Sequence, residues 1–349
     1  MDLKNKKHLH PHSGKHAARF RKSIPEAATF AEQILKGNKH FLSRALTLAE
    51  SKLPEHRHLI NDIIRRLLPH TGQSLRIGVT GVPGAGKSTF IDRLGEQYIA
   101  QGHQVAVLAV DPSSAIHQGS ILGDKTRMNR LSQAQEAYIR PVPGGEAIGG
   151  IARYTMESIL LFEAAGYDRI IVETIGSGQS EISVWYLTDL MILLKIPGAG
   201  DDLQGIKRGI MELADLILIN KADGPWKKEA EQAVRYFQQA LTLSGRPTGS
   251  VPVWTISALE GQGVEKVRRW LENTYLQRQK DGSWARKRTE QNLYWFDRQI
   301  HYLFDHIRRQ NQNLKEYYRT LRQQLEENKI TPHEAAEAYW KHFIKSVSG

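Results

Sequence analysis

Residues 75–88 read Leu75-Arg-Ile-Gly-Val-Thr-Gly81-Val-Pro-Gly-Ala-Gly86-Lys87-Ser88, an apolar run that passes directly into a glycine-rich turn. The turn fits the pattern G-x-x-x-x-G-K-[ST], and a predicted helix over Thr89–Ala100 follows it. Glycines in such a turn let backbone N–H groups face phosphates, and the helix N-terminus adds positive potential. The stretch therefore predicts a P-loop nucleotide site at the carboxyl end of a strand.

The residue types of this turn have distinct predicted tasks. Lys87 is expected to reach the β- and γ-phosphates, and the Ser88 hydroxyl is expected to bind Mg²⁺. The other predicted nucleotide contacts here are Gly81, Gly84, Ala85, Gly86 and Thr89. A chance glycine-rich turn is disfavoured because the whole pattern fits in the required strand-to-helix setting.

Short apolar runs alternate with helical patterns along the middle of the chain. The predicted strands are Leu75–Thr80, Val105–Val110, Arg169–Val172, Leu190–Ile196, Leu216–Ile219 and Val253–Ile256. The predicted helices are Thr89–Ala100, Met156–Ala165, Ile206–Leu213, Trp226–Leu241 and Val264–Leu271. This alternation is typical of a mostly parallel sheet with helices on both faces. The predicted fold class is therefore α/β, of the P-loop NTPase type.

Helical patterns without strands flank this region on both sides. Apolar residues recur at three- and four-residue spacings before residue 72, and no strand signal returns after residue 273. We predict a tail over 1–23, a helical segment over 24–72, a nucleotide-binding (G) domain over 73–273 and a C-terminal helical arm over 274–349. Thr331-Pro-His-Glu334 predicts a capping box that begins the last helix.

The predicted arm carries an apolar stripe at helical spacing. Its members are Leu293, Phe296, Ile300, Phe304 and Ile307. Such a stripe is either an ordinary core face or a surface that packs against a second subunit. Because these helices have no strand partner in the sequence, both readings stand at this point.

The composition excludes several classes of protein. The chain has 349 residues, a net charge of +11 and no cysteine, so it forms no disulfide and no thiolate metal site, which fits a reducing cytoplasm. No apolar run reaches the ~18 residues of a membrane span, and the basic N-terminus lacks the apolar region of a secretory signal. A basic, acid-poor start is also found in transit peptides, which is the weaker alternative.

Much of the positive charge lies in the tail, residues 1–23, so the remaining balance does not indicate nucleic-acid binding. The tail also contains His8, His10, His12 and His16. A solvated tail is the simpler interpretation, and binding of nickel or zinc by imidazole is the alternative.

The choice of base is indicated by Asn220-Lys221-Ala-Asp223, which follows the predicted strand Leu216–Ile219. A carboxylate at the edge of a base accepts hydrogen bonds from the two N–H donors that guanine offers there, and adenine lacks this pair. Asn220, Lys221 and Asp223 are therefore predicted to contact GTP or GDP rather than ATP. Ser257-Ala258-Leu259, at the end of the next strand, is where GTPases place a donor for the guanine oxygen.

Three carboxylates are predicted near the metal. Asp111 and Glu173 end predicted strands, and strand carboxyl ends are where open α/β sheets bind ligands. Asp124 lies in the connection after Asp111. Together with Ser88 they form the predicted Mg²⁺ set, since carboxylate oxygens bind Mg²⁺ directly or through water. For any one of them a solvated loop acid is the alternative.

Several further motifs occur in a fixed order. They are Ala109-Val-Asp111-Pro-Ser-Ser, Leu122-Gly-Asp124-Lys-Thr-Arg-Met, Val172-Glu173-Thr-Ile-Gly176, Gly178-Gln-Ser-Glu181, Ile196-Pro-Gly-Ala-Gly-Asp201-Asp-Leu-Gln-Gly-Ile-Lys207 and Asn220-Lys-Ala-Asp223. With them the chain, from about residue 28 to the arm, resembles the MeaB/MMAA (ArgK-like) family of GTPases. The sequence departs from the family pattern at Ser177 and at Trp185-Tyr186, and it has Pro143-Gly-Gly-Glu146 where a Ser/Thr-rich turn is common.

The resemblance implies a SIMIBI-class G domain and a homodimer formed through the C-terminal helices. It implies a GTP-hydrolysing chaperone that binds an adenosylcobalamin-dependent acyl-CoA mutase, gates cofactor loading and protects the mutase. By position, Lys87, Asp111, Glu173 and Lys207 look like catalytic residues, and Asp124 looks like a switch carboxylate. Residues 196–207 look like a third switch, with Lys207 as its mobile lysine.

Two other functions compete with this one. A nickel-insertion GTPase also starts with a His-rich tail, but such proteins usually bind metal at a Cys-containing motif, and this chain has no cysteine. A kinase or transport ATPase would need ATP, which Asp223 disfavours.

Overall fold

The computed structural model describes residues 24–51, 53–111, 128–143, 148–174, 180–198, 208–247 and 249–347. The described chain forms two compact units. The first contains the described residues up to Gly72 together with Glu157–Gly166, and the second contains Gln73–Met156 and the chain from Tyr167 onward. The predicted division into a tail, a helical segment, a G domain and an arm stays a prediction.

The first unit contains the predicted N-terminal helices. They are α1 (Ala27–Leu35), α2 (Lys39–Glu50) and α3 (Pro54–Leu67), followed by a 3-10 turn over Leu68–His70. Asn38 caps α2, because its side chain accepts from the amides of His40 and Phe41. The apolar residues at helical spacing face each other in a small core of Phe30, Ile34, Leu42, Leu46, Ile60 and Ile63. The prediction of helices in this region is confirmed.

The second unit is built on a parallel sheet. Its strands are β1 (Leu75–Gly81), β2 (Val105–Asp111), β3 (Ala137–Pro143), β4 (Arg169–Glu173), β5 (Leu190–Lys195), β6 (Leu216–Ile219) and β7 (Val253–Thr255). The seven strands lie in the order β3-β2-β4-β1-β5-β6-β7, and every pair is parallel. The predicted α/β fold is confirmed, and β1, which leads into the P-loop, lies at the centre.

The strand β3 is a correction to the sequence analysis, which predicted no strand at Ala137–Pro143. Pro141 and Pro143 hide the strand signal in the sequence. Proline has no N–H to donate to a neighbouring strand, so its presence normally argues against a strand. Among the described strands, β3 lies at the edge of the sheet and pairs only with β2, which is a position where proline is tolerated.

Both faces of the sheet are covered, as alternate residues of its strands show. On β6, Leu216 and Leu218 belong to one buried cluster, while Ile217 and Ile219 belong to another. Since successive side chains of a strand point to opposite faces, the two clusters lie on opposite sides of the sheet. This explains why the strands read as continuous apolar runs rather than as alternating ones.

The helices of the second unit connect and cover these strands. They are α4 (Lys87–Ile99), α5 (Asn129–Gln133), α6 (Ile148–Ala164, whose last residues lie in the first unit), α7 (Ser180–Trp185), α8 (Arg208–Leu213), α9 (Lys227–Leu243) and α10 (Val264–Lys280). The helix α10 runs nine residues beyond its predicted end at Leu271, because Tyr275, one turn later, is also buried. Among the described residues, none of the helices is long and apolar enough to cross a membrane.

In the described chain, α10 is followed by the helices α11 (Ser283–Gln310), α12 (Gln312–Glu326) and α13 (Pro332–Val347). The predicted capping box begins α13. The amide of Glu334 donates to Thr331 Oγ1 at 3.2 Å, and the amide of Thr331 donates to Glu334 Oε2 at 2.9 Å. The helical character of the region after residue 273 is thus confirmed.

Candidate nucleotide-binding site

The predicted site residues gather at one edge of the sheet, because parallel strands all end on the same side. Gly81 ends β1, Asp111 ends β2 and Glu173 ends β4. In the register of the sheet, Glu173 lies opposite Val79 of β1 on one side and Ala109 of β2 on the other. Glu173 is therefore a direct neighbour of the strand that enters the P-loop.

The P-loop connects β1 to α4, and Gly86 is tightly constrained within it. Gly86 caps α4 in the left-handed conformation, with φ of 88°. A Cβ atom at this position would overlap Nδ2 of Asn220. Gly86 is thus required twice, by its backbone angle and by the approach of another loop. Gly84 has φ of 78°, but a Cβ there would meet no atom within 4 Å.

Lys87 is the first residue of α4, and its side chain is largely buried, with 8% exposed. Its Nζ atom donates to the carbonyl oxygens of Gly81 at 2.9 Å and Val82 at 3.3 Å. The ammonium group is therefore held against the loop that it closes, rather than extended into solvent.

Ser88 and Glu173 meet directly. Ser88 Oγ donates to Glu173 Oε1 at 3.1 Å, and Glu173 is buried, with 8% of its surface exposed. The next residue, Thr174, donates from its amide to the Val79 carbonyl and from Oγ1 to Thr80 Oγ1 at 2.8 Å. These bonds tie the end of β4 to the end of β1, so the two predicted metal ligands share one corner of the site.

Asn220 connects two loops that lie far apart in the sequence. Its Nδ2 atom donates to the carbonyl of Ala85 in the P-loop at 2.7 Å, and its Oδ1 atom accepts from the amide of Ala258 at 2.9 Å. Asn220 itself is 2% exposed. The predicted contact of Asn220 with the nucleotide stays a prediction, and the geometry shows in addition that Asn220 bridges the phosphate loop and the loop after β7.

The other residues of this motif form a tight turn. Lys221 has a positive φ of 62°, and the amide of Ala222 donates to the Ile256 carbonyl at 3.0 Å. Asp223 then precedes a 3-10 turn over Gly224–Trp226 and remains half-buried. The turn places Asp223 beside the loop after β7.

That loop contains Ser257, Ala258 and Leu259. Ser257 and Ala258 are each 1% exposed, while Leu259 is 71% exposed. Ser257 Oγ accepts from the amide of Glu260, which closes the turn. Arg93 of α4 donates to the Leu259 carbonyl at 2.7 Å, a contact that the sequence analysis missed because nothing in the local pattern of α4 indicates it.

The structure describes some of the other predicted site residues and not others. Thr89 lies in the first turn of α4, and Asp111 is described by its backbone position. Asp124 and Lys207 lie outside the described residues, as does the His-rich tail of residues 1–23. Among the described residues, no group of three or more His, Cys, Asp or Glu side chains is arranged to hold a metal ion.

Comparisons with known proteins agree on one family. The family model described as "Methylmalonyl Co-A mutase-associated GTPase MeaB" matches residues 42–313. A "Putative GTPase" of Caulobacter vibrioides is 48% identical over 265 residues, which cover 75% of this chain and 81% of that protein. The mouse "Methylmalonic aciduria type A homolog, mitochondrial" is 42% identical over 277 residues, which cover 75% of this chain and 66% of that protein.

A solved structure described as "Crystal structure of LAO/AO transport system kinase" has a TM-score of 0.74 and 35% sequence identity, covering 92% of this chain and 99% of its own. The family model extends from the helices before β1 to the arm after α10, and it includes every described residue of the nucleotide site. With the P-loop, the Asn220 bridge and the Ser88–Glu173 corner in place, the chain belongs to the MeaB family of GTPases.

Proposed function

We propose that this GTPase is a chaperone of an adenosylcobalamin-dependent acyl-CoA mutase, of the methylmalonyl-CoA or isobutyryl-CoA type. In this function it binds the mutase, gates loading of the cofactor and protects or reactivates the enzyme. The family name, which describes association with methylmalonyl-CoA mutase, supports the proposal. The observation that carries it is the match over residues 42–313, because it extends beyond the nucleotide site into the helices on both sides.

GTP is the proposed nucleotide, and Asp223 is the residue proposed to select it. The support is its position in the turn that lies beside Ala258, with Asn220 fixing the distance between this loop and the P-loop. A buried site whose carboxylate must be paired rejects a base that lacks the matching donors. Asp223→Asn should shift the preference from GTP to xanthosine triphosphate, measured by competitive titration, while Lys221→Ala, the matched control, should keep the preference for guanine.

Mg²⁺ is the proposed metal, and the donors fit it. A hydroxyl oxygen from Ser88 and a carboxylate from Glu173 lie 3.1 Å apart, and Mg²⁺ prefers oxygen ligands of this kind. Asp111 and Asp124 are the further proposed ligands. When bound, the metal would neutralise charge that develops on the β- and γ-phosphates. Lys87 is proposed to hold the same phosphates from the P-loop side.

A homodimer formed through the arm is also proposed. The apolar stripe of α11 supports it, since its members Leu293 and Phe296 are 60% and 62% exposed, and Leu303, which adjoins the stripe, is 50% exposed. Exposed apolar residues that line one side of a helix over several turns are typical of an interaction surface. We propose further that the protein works in the cytoplasm.

The decisive experiment measures GTP hydrolysis alone and with each of several cobalamin-dependent mutases, both empty and loaded with adenosylcobalamin. We expect one mutase to form a complex and to accelerate hydrolysis. Lys87→Ala should bind that mutase yet show no acceleration, because the charge on the phosphates is removed. If wild-type protein hydrolyses GTP but neither binds nor responds to any of the mutases, the chaperone proposal is wrong and the family assignment stands.

A further inference from the structure

The first half of α11 does more than begin the arm, since it carries buried contacts to the end of α7. Gln291 is 3% exposed, and its Nε2 atom donates to the carbonyls of Trp185 at 3.2 Å and Thr188 at 2.8 Å. Trp295 is 8% exposed, and its Nε1 atom donates to the Tyr186 carbonyl at 2.9 Å. Side chains of α11 thus satisfy the carbonyl of the last residue of α7 and two carbonyls in the turn that follows it.

Aromatic and charged groups strengthen the same junction. The rings of Tyr186 and Tyr294 are stacked, with centroids 3.5 Å apart and planes 3° apart. The ammonium of Lys287 lies 4.8 Å from the centre of the Trp185 ring and donates to the Asp189 carbonyl. Burial lowers the pKa of Lys287. The ammonium is therefore enclosed by this junction rather than free in solvent.

The helix α7 depends on such contacts because it is short. Its range, Ser180–Trp185, contains fewer than two turns, and a helix of that length is not stable alone in water. Carbonyls at a helix C-terminus also have no partner within the helix. Contacts from α11 therefore help to hold the end of α7 in place.

On its other side, α7 and the turn after it pack directly on β1. A Cβ atom on Gly78 would lie 2.9 Å from Thr188 Oγ1 and 3.2 Å from Val184 Cγ1, so the missing side chain lets α7 touch the strand. Gly78 is three residues before Gly81, where the P-loop begins. Val79 and Thr80, between them, hold Thr174, which adjoins Glu173 and its bond to Ser88.

These contacts form one continuous path of packed and hydrogen-bonded groups from the arm to the phosphate end of the site. We propose that Gln291, Tyr294 and Trp295 are positioning residues for GTP hydrolysis, which act through α7 and β1 and touch neither nucleotide nor metal. If α11 and the nucleotide site are coupled in this way, a substitution in α11 must change the rate of hydrolysis at the site. The proposal goes beyond the mutase function and uses GTP hydrolysis as one of its two readouts.

The test compares single-turnover GTP hydrolysis, with protein in excess over GTP, between wild type and chosen α11 variants. Trp295→Phe keeps an aromatic ring and removes the N–H donor, and Gln291→Met removes both amide bonds at similar volume. We expect each to slow the chemical step about two- to tenfold, the rate equivalent of one or two hydrogen bonds, with GTP affinity within about twofold. Asn292→Ala, an exposed residue on the same turn, is the control and should match wild type.

Two variants of Tyr294 test whether the stacked ring contributes to the rate of hydrolysis. Tyr294→Ala should slow hydrolysis, whereas Tyr294→Phe, which keeps the stacked ring, should restore the wild-type rate. The second readout is hydrogen exchange of the α7 amides, which should quicken in the slow variants and not in the control. Melting temperatures confirm that each variant is folded.

Two results overturn the proposal. One is an unchanged rate in Trp295→Phe and Tyr294→Ala while exchange of α7 quickens, because α11 then supports packing without reaching the site. The other is a lower rate with unchanged exchange in α7, because the effect then travels by another route. If the wild-type protein does not hydrolyse GTP, that result counts against the enzymatic function itself. It is thereby distinct from the two results that overturn the positioning role.

Discussion

The side chain of Asn220 donates to the Ala85 carbonyl and accepts from the Ala258 amide, so one buried amide holds two loops together. Asn220→Ala leaves both partners without their bond, and an unsatisfied buried group costs about 1–3 kcal/mol. We expect Asn220→Ala to lower the free energy of unfolding by that amount and to weaken GTP binding. Chemical denaturation and titration with a fluorescent GTP analogue measure the two effects.

Asn220→Asp is the matched variant, because a carboxylate keeps the acceptor for Ala258 and loses the donor to Ala85. Its affinity for GTP should fall at least as far as that of Asn220→Ala, since a buried carboxylate that faces the Ala85 carbonyl oxygen is unfavourable. Equal affinities in all three proteins would mean that the two loops are positioned without this bridge.

Gly86 tests the same contact from the opposite side. Gly86→Ala introduces a Cβ that overlaps Nδ2 of Asn220 and also places alanine at φ of 88°. Gly84→Ala imposes a similar backbone strain at φ of 78° but meets no atom within 4 Å. We expect Gly86→Ala to abolish GTP binding and Gly84→Ala to weaken it less, since strain of this kind costs about 1–3 kcal/mol. Isothermal titration with GTP compares the affinities of the two variants. If both lose the same affinity, backbone strain alone explains the loss and the overlap with Asn220 does not contribute.

At the scale of single residues, the sequence predicts which residues belong to the site better than it predicts which residues they contact. The residue types of the P-loop identify Lys87 and Ser88, since the spacing itself encodes the loop. The bridge by Asn220 and the contact from Arg93 to Leu259 join residues that are 38 to 166 positions apart. Such contacts depend on how the strands are ordered in the sheet, which local pattern does not show.

At the scale of elements, the packing of α7 on β1 requires the absence of a side chain at Gly78. A Cβ there would overlap Sδ of Met191 and press on Thr188 and Val184. Gly78→Ala should therefore lower the free energy of unfolding by about 1–3 kcal/mol, as overpacking of a buried core does. Thermal and chemical denaturation measure the loss.

The double variant Gly78→Ala/Met191→Ala returns space to the same position and serves as the control. If overlap is the cause, the two changes should be non-additive, and the double variant should lose less than the sum of the single losses. Strictly additive losses would show that Gly78 is needed for another reason.

Elements with a strong period were predicted correctly, and those with a conflicting signal were not. The strands β5 and β6 are continuous apolar runs and were found within a residue or two of their observed bounds. The strand β3 was missed because its prolines argue against a central strand, although they are compatible with an edge. The short helix α7 carries too few residues to show a period at all.

At the scale of the whole molecule, α11 presents two different faces. One face carries Gln291 and Trp295, which are buried against α7, and the other carries Leu293 and Phe296, which are exposed. Since both faces belong to the same two turns of one helix, packing of a second subunit against the exposed face would act on the helix that positions α7. The proposed dimer and the proposed positioning role therefore concern the same part of the chain.

The dimer itself is tested by charges placed on the exposed stripe. Phe296 and Leu303 lie two turns apart, are 62% and 50% exposed, and would be buried if a second molecule packs along α11. Burying a carboxylate without a partner is strongly unfavourable, and each lost apolar anchor of an interface costs about 2 kcal/mol or more. We expect Phe296→Glu/Leu303→Glu to weaken dimerisation at least about thirtyfold, as measured by analytical ultracentrifugation over a range of concentrations.

His301→Glu/Arg309→Glu is the matched control, because it places two carboxylates on the same helix at exposed positions away from the stripe. This control should dimerise like the wild type, and circular dichroism should show that both double variants are folded. A wild-type protein that stays monomeric at high concentration, or a stripe variant that dimerises as tightly as its control, would show that the stripe is not a dimer interface. In that case the mutase becomes the first candidate to test, by repeating the comparison in the complex, because the same apolar side chains would then be buried there.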